Sequence, residues 1–529
     1  MSCRGDPAAM TLGDIVTDNA RRYPDTVAYR LGEREVTHAD LHERAVRLIS
    51  AMVAAGIRRQ DRVAIMSRNS VEFGEVMAAC QLSGIIMATV NFRLSSDEVR
   101  GVLNRVRPSI VFCTNEFAPM ISDLATTLGT LPLLVRFGGQ DSVEMFDFED
   151  FMAGGTSREP ALLARPEDIA CLIFTSGTTG ALKCCVLGQA ELHRIAMTMN
   201  AEMRSGSDDR GLINMPMFHI GAMAIIGGLH ARGGTVVLQS QFDPAEAIEL
   251  ISRDQITLVH LAPVMLQALL EALPDAPSVE TLRTVVYAAA PITPRVLERA
   301  LKTLPAAGFI NMYGQTEAII SGLPRELHVL NGPDEADALR SVGIPFPGVR
   351  VRIVSDDGVD VPTGEPGEIV VQSDSLFRGY WDDDVATLAT LRDGWCHTGD
   401  IGRLDARGFL YLVDRKKDVI ITGGENVYSP EVEDAVSRHD GVAACAVIGV
   451  PDERWGETVC AVVTVQPAAR VTLEAIQEFV RPVLAGYKIP RRMVVVNEMP
   501  VLASGKVDKK RLRVELQGSI VDNHYQQMS

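Results

Sequence analysis

Thr175-Ser176-Gly177-Thr178-Thr179-Gly180-Ala181-Leu182-Lys183 is the stretch around which the rest of the chain is arranged. It follows Ile169-Ala170-Cys171-Leu172-Ile173-Phe174, an apolar run of strand length, and precedes a segment from Glu191 patterned as a helix. The expectation is therefore strand, loop, helix. Two glycines let backbone N–H groups turn toward one point, four hydroxyls add donors, and Lys183 brings positive charge. The guest that suits such a loop is a polyphosphate. The familiar nucleotide loop G-x-x-x-x-G-K-[ST] is not met, because Lys183 follows Gly180 by three and is itself followed by Cys184. A phosphate loop of this kind belongs to a different enzyme class.

The chain around the loop has 529 residues, too many for one hydrophobic core and enough for clefts between folding units. Its 47% hydrophobic and 22% charged residues are ordinary for a globular protein. A formal charge of −17 argues against a general nucleic-acid binder, so any anionic ligand must be held by a local pocket. Nine cysteines show no C-x-x-C pair, which points to a reducing compartment without disulfides or a zinc site. The first residues carry Asp6 and Pro7 where a secretory leader would be apolar, and no apolar run reaches spanning length. A cytoplasmic location without stable membrane insertion is expected, and monomer or homodimer stays open.

The residues before the loop alternate helix and strand. Thr37 and Asp40 form a capping-box pattern ahead of a helix over 37–57, whose apolar face is Leu41, Ala45, Leu48, Ile49, Met52 and Val53. Strands are expected at 62–66, 85–90 and 110–113, with helices at 70–82 and from Ser96, and 138–160 reads as a surface excursion. Beyond the loop, short strands at 234–238, 258–261, 284–287 and 308–311 suggest a second sheet. The texture from Val349 is that of a small β-rich subdomain, and 430–496 reads as a compact α+β domain with a basic tail. The expected fold is α/β: a large N-terminal domain (10–416) of two helix-covered sheets plus the β-rich part, then a small mobile α+β domain (417–529).

Eight short stretches occur in one order: residues 175–183, Pro216-Met-Phe-His-Ile-Gly221, Tyr287-Ala-Ala-Ala-Pro291, Tyr313-Gly-Gln-Thr-Glu-Ala318, Trp395-Cys-His-Thr-Gly-Asp400, Asp414-Arg-Lys-Lys-Asp418, Gly423-Gly-Glu-Asn426 and Pro500-Val-Leu-Ala-Ser-Gly-Lys506. In this order they resemble the adenylate-forming superfamily over almost the whole chain, and within it the acyl-CoA synthetases. The resemblance implies a two-step reaction. A carboxylate attacks the α-phosphorus of ATP to give acyl-AMP and pyrophosphate, and the thiol of coenzyme A then displaces AMP.

The resemblance also implies roles. Thr175, Ser176, Gly177, Thr178, Thr179, Gly180 and Lys183 would hold phosphates, and Lys506 would bridge the carboxylate and the α-phosphate. Thr316 and Glu317 would be the phosphate hydroxyl and the Mg2+ ligand, a hard cation for which one carboxylate beside phosphate oxygens suffices. Tyr313, Gly314 and Gln315 would face one side of the adenine, and Ala289, Ala290 and Pro291 the other. Asp400 would bind the ribose hydroxyls with Arg415 beside it, and Lys417 would be the hinge on which Gly423 and Gly424 are presented for thioester formation. His219 would close over the acyl group. Amino-acid-activating relatives usually have Phe-Asp where this chain has Phe218-His219, which disfavours a free amino acid.

Ile220, Gly221, Ala222, Met223, Ala288, Ala289, Gly314, Ile319 and Ile320 around the implied acyl pocket are small or apolar. A hydrophobic acid, fatty, alicyclic or steroid-like, is expected, with an aromatic acid as the alternative. Acyl transfer to a carrier protein and a non-catalytic nucleotide-binding scaffold are the other readings. The scaffold enters because Leu182, Cys184 and Gly188-Gln189 depart from the family's usual loop. Cysteine at 184 would be strained if that position required positive φ and harmless otherwise.

Overall fold

The computed structural model describes residues 10–129, 131–138, 145–155, 159–176, 182–273, 279–330, 332, 337–452, 454–467, 469–501 and 507–517. They fall into two compact units, one of 1–288, 294–351 and 371–397, the other of 289–293, 352–370 and 398–529. The fold is mixed α/β, with a large N-terminal domain of sheets and helices and a smaller C-terminal domain.

The first unit holds two large sheets. One runs Phe146–Asp147, Leu133–Phe137, Ile110–Thr114, Arg62–Met66, Ile86–Thr89, Ile169–Ser176, Leu182–Gly188, parallel throughout except for the last strand. The other, nine-stranded among the described residues, has the parallel core Thr235–Leu238, Arg210–Ile213, Leu258–Leu261, Thr284–Ala288, Gly308–Gly314. The capping box at Thr37 is formed: its hydroxyl accepts from Asp40 N at 3.1 Å. Helix His38–Ala54 follows, burying Leu41, Leu48, Ile49 and Met52 at about 1.5–3 kcal/mol each.

Three local expectations give way. The loop after Ser176 is not followed directly by a helix. Lys183-Cys-Cys-Val-Leu-Gly188 returns as a strand antiparallel to Ile169–Ser176, and the helix begins at Gln189 with Gly188 at its N-cap. Periodicity cannot separate a short buried strand from a helix turn, and here the open sheet edge decided. Within 138–160, Asp147 caps the helix Phe148–Ala153, with Phe148 and Met152 buried. The Phe148 ring lies 5.0 Å from Phe137 and 6.2 Å from Phe112, so aromatic burial outweighs the polar composition. The basic tail is in part a helix, Lys509–Gln517, because Leu512 and Leu516 share one buried face.

In the second unit, Leu410–Arg415 pairs antiparallel with residues 400–404. A further sheet runs Glu425–Val427, Ile420–Thr422, Gly456–Val465, Val442–Asp452, with Arg492–Val495 parallel to Gly456–Val465. Strand alternation gives it two apolar faces. Val447, Val459, Ala461 and Val463 pack with helices Ser429–Ser437 and Leu473–Val480. Ala446, Ile448, Val450, Cys460 and Val462 take up Leu512 and Leu516. No helix among the described residues is long and apolar enough to cross a membrane.

Candidate active site

In the first unit, Thr175 is the last residue but one of the strand Ile169–Ser176 and is paired across the ladder with Lys183. Cross-strand partners share a face, so hydroxyl and ammonium are presented on one side. Gly177, Thr178, Thr179 and Gly180 lie outside the described residues, as does Lys506. Cys184 is fully buried in the returning strand and is not among the residues with positive φ, so the cysteine that replaces the usual glycine is unstrained. Arg105 fixes the start of this strand by donating to the Leu182 carbonyl at 2.9 Å.

The stretch Tyr313-Gly-Gln-Thr-Glu-Ala318 joins antiparallel strands Gly308–Gly314 and Ile319–Leu323. Gln315 N donates to Ala318 O at 2.7 Å and Ala318 N to Gln315 O at 3.3 Å, closing the turn that carries Thr316 and Glu317. Only glycine fits at 314, where a Cβ would lie 2.8 Å from the Ala318 oxygen.

Glu317 is held from a segment to which the motif reading assigned nothing, Phe377-Arg-Gly-Tyr-Trp381. Tyr380 Oη donates to Glu317 Oε1 at 2.7 Å, and Phe377 N donates to the Glu317 carbonyl at 2.9 Å. Lys183 Nζ sits 4.6 Å from the centre of the Tyr380 ring. Cys185, paired with Ile173 on the strand face of Thr175, places its thiol beside the side chains of Thr175 and Glu317. Burial, then the Glu317 charge, holds this thiol far above its ordinary range, and the same two causes raise the Tyr380 phenol. Both stay protonated. Five side chains from three stretches thus form one cluster with a cation at one end and a carboxylate at the other.

Arg378 anchors the same segment by a two-pronged pair with Glu191, at 2.9 and 2.8 Å. Its readable signal was an arginine and a glycine between aromatics beside the acidic run Asp382-Asp383-Asp384. Gly379, at φ +125, leaves no room for a Cβ beside Thr387.

His219 is the N-cap of helix Ile220–His230, with its N–H on the Pro216 carbonyl at 3.0 Å. Two buried residues that the motifs did not single out fix this turn. Asn69 accepts from Met217 N at 2.8 Å and donates to Met215 O at 3.1 Å, and the Thr89 hydroxyl donates to Phe218 O at 3.1 Å. The Phe218 ring packs 4.3 Å from the imidazole of His219. Ile220, Gly221 and Met223 stay half-buried, so the first turn of the helix borders open space.

In the second unit Asp400 is 4% exposed and lies opposite Arg415 in the ladder, whose Nε is 2.6 Å from its carboxylate. Asp414 accepts from Ser429 N at 2.7 Å and Oγ at 2.9 Å, although burial raises its carboxyl above the usual range. Half-burial lowers the Lys417 ammonium. Gly423 and Gly424, at φ +61 and +88, make the two-residue turn between Ile420–Thr422 and Glu425–Val427 that requires positive φ at both centres. A Cβ at Gly423 would lie 2.8 Å from the Trp455 ring. Ala289, at φ +73 without being glycine, precedes Ala290 and Pro291 in a strained conformation of the kind that clusters at functional sites.

No group of three or more His, Cys, Asp or Glu side chains able to hold a metal ion occurs among the described residues. Glu317 alone suits a cation that takes most of its oxygens from a nucleotide.

A model of the AMP-binding enzyme family matches residues 16–381, and one of the AMP-binding enzyme C-terminal domain matches 431–506. A feruloyl-CoA synthase from Amycolatopsis sp. is 35% identical over 505 residues, covering 95% of this chain and 98% of that protein. A fatty acid–[acyl-carrier-protein] ligase from Streptomyces coeruleorubidus is 32% identical over 519 residues, covering 96% of each. Among solved structures, an amide bond synthetase from Marinactinospora thermotolerans superposes with TM-score 0.86 at 30% identity, covering 96% of this chain and all of that one.

Proposed function

The chain belongs to the AMP-binding enzyme family and is an AMP-forming acyl-CoA synthetase, and from that premise we propose that it activates a hydrophobic carboxylic acid, fatty, alicyclic or steroid-like, and transfers it to coenzyme A. The observation that carries the reading is the Glu317–Tyr380–Lys183 cluster. It joins the phosphate loop to the Y-G-Q-T-E-A turn through a residue from neither motif.

In the first step the acid's carboxylate oxygen attacks the α-phosphorus of ATP, and the bond to the pyrophosphate oxygen breaks. Two anions must meet. Lys183 on the β- and γ-phosphates and Lys506 between carboxylate and α-phosphate supply the positive charge, and Thr175 and Thr316 supply hydroxyl donors. A preorganised donor of this kind is worth about 3–4 kcal/mol in the transition state. Magnesium, when bound, would be held by Glu317 and phosphate oxygens and would neutralise charge on the leaving group. Tyr380 keeps the Glu317 carboxylate aimed by occupying Oε1. Tyr313 and Ala289-Ala290-Pro291 would take the adenine, and Asp400 with Arg415 the ribose.

In the second step the sulfur of coenzyme A attacks the acyl carbon, the carbon–oxygen bond to AMP breaks, and the thiol proton leaves. Gly423 and Gly424 would line the thiol's approach, with Lys417 the hinge between the two steps, and His219 would close over the acyl group. The small residues Gly221 and Ala222 at the start of Ile220–His230 support a bulky apolar acyl group.

The test is acid-dependent pyrophosphate exchange and CoA-thioester formation across fatty, alicyclic, steroid and aromatic acids. Exchange with hydrophobic acids, and thioester with coenzyme A as sole acceptor, is the expected result. No exchange with any acid, by protein that still binds ATP, would overturn it.

A further inference from the structure

His260 is a buried histidine whose surroundings do not account for it. It lies in the strand Leu258–Leu261, is 2% exposed, and its Nδ1 has no hydrogen-bond partner among the described residues. His38, 2% exposed, shares this feature at its Nε2 but lies away from the N-terminus of helix Ile220–His230, while two other deeply buried histidines find partners in the fold. His230 Nε2 is 3.2 Å from the Ala28 carbonyl, and His328 bonds the Tyr287 hydroxyl and the Pro324 carbonyl, each at 3.0 Å. An orphaned buried polar atom costs about 1–3 kcal/mol, so leucine would serve this position better were packing its only task.

The register shows where the ring points. His260 is paired with Ile213 on one side and Val286 on the other. Gly211, two residues before Ile213 and hence on the same sheet face, has no room for a Cβ because Leu229 of helix Ile220–His230 lies there. That helix therefore covers this face, and its first turn lies over the imidazole. The nearest atom to a Cβ built on Gly221 is His260 Cε1, at 3.5 Å. Gly221 is the second residue after His219 and is half-buried, so the imidazole stands beneath the open turn that borders the acyl pocket. Burial pushes its pKa down to about 4, which leaves a neutral ring able to donate from one nitrogen and accept at the other.

We propose that His260 is a specificity residue that hydrogen-bonds an oxygen function, keto, hydroxyl or phenolic, on the part of the acid remote from its carboxylate. The preferred substrate class is then an oxygenated hydrophobic acid, and a bare hydrocarbon chain leaves the imidazole unpaired. This rests on the acid–CoA ligase reading above and narrows it. A site built to pair with a substrate oxygen rejects the analogue lacking it far more strongly than an apolar pocket rejects a change of size.

The experiment measures kcat/KM for CoA-thioester formation by the full-length protein with two matched pairs, 4-hydroxycinnamate with cinnamate and 12-hydroxydodecanoate with dodecanoate. The expected result is a preference of about tenfold or more for the oxygenated member of at least one pair. It should fall to about one in His260→Leu, with KM for ATP unchanged. His260→Asn keeps a donor and an acceptor and should retain most of the preference, which separates pairing from a packing defect or a variant that fails to fold. Thioester formation with no preference in either pair, or a preference that survives in His260→Leu, overturns the inference alone. No thioester from any of the four acids overturns the hydrophobic-acid reading as well.

Discussion

The phenol of Tyr380 and the carboxylate of Glu317 form a 2.7 Å hydrogen bond across 63 residues of sequence, and Lys183 rests against the face of the same phenol ring. One aromatic side chain thereby sets the orientation of an anion and a cation. Tyr380→Phe keeps the ring and removes the bond. It should lower pyrophosphate exchange about tenfold and raise the Mg2+ concentration for half-maximal exchange, in the range usual for loss of a group that orients a metal ligand. A magnesium titration of the exchange rate checks this, and an unchanged half-saturation point would detach Glu317 from the metal.

Gly423→Ala should act on one half-reaction. Its Cβ would meet Trp455 at 2.8 Å and its φ of +61 disfavours any side chain. Thioester formation should fall at least tenfold while acyl-AMP formation changes little, as measured by single-turnover assays of each step.

Lys417→Pro should also slow thioester formation more than adenylate formation, because a fixed φ removes freedom where the hinge is proposed. Equal losses in the two half-reactions, measured separately, would remove Lys417 from that role.

Acid should weaken the fold before it reaches the carboxylates. Burial holds His230 down to about 3 and His38 and His328 to about 4, against about 6.5 in an unfolded chain. Below that unfolded value the unfolded state binds more protons, so stability is full above it and falls as pH drops toward 4. The midpoint of urea unfolding should be flat above pH 7 and decline between about pH 6.5 and 4, and His328→Gln should reduce the slope.

Cys184→Gly should leave pyrophosphate exchange intact while lowering stability by roughly 1–2 kcal/mol, since a strand glycine costs backbone entropy and a buried side chain is lost. Parallel exchange and thermal-unfolding measurements separate the two effects.

The motifs were legible because their chemistry needs particular residue types in a fixed order. The parallel strands were legible as short apolar runs between turns. What escaped the sequence depends on long-range pairing. Nothing local in Lys183-Cys-Cys-Val-Leu-Gly188 distinguishes a returning edge strand from the start of a helix. Tyr380 acquires its role only when the fold brings it to Glu317, and Asn69 and Thr89 become supports of the His219 turn only through contacts 148 and 129 residues away. His260 lay in the strand expected at 258–261, where a single polar residue among Leu258, Val259 and Leu261 carries no motif.

The returning strand has a further consequence for what evolution or an engineer can alter. Ser176 and Leu182 are ladder partners, so the connection between them is bounded at both ends by fixed hydrogen bonds. Side chains alternate along a strand, and a one-residue slip of the ladder register would turn Lys183 to the opposite face and bring Cys184 to the side of Thr175. The pairing register of Ile169–Ser176 with Leu182–Gly188, more than the identity of any one residue in it, is the quantity to preserve in a redesign of this hairpin.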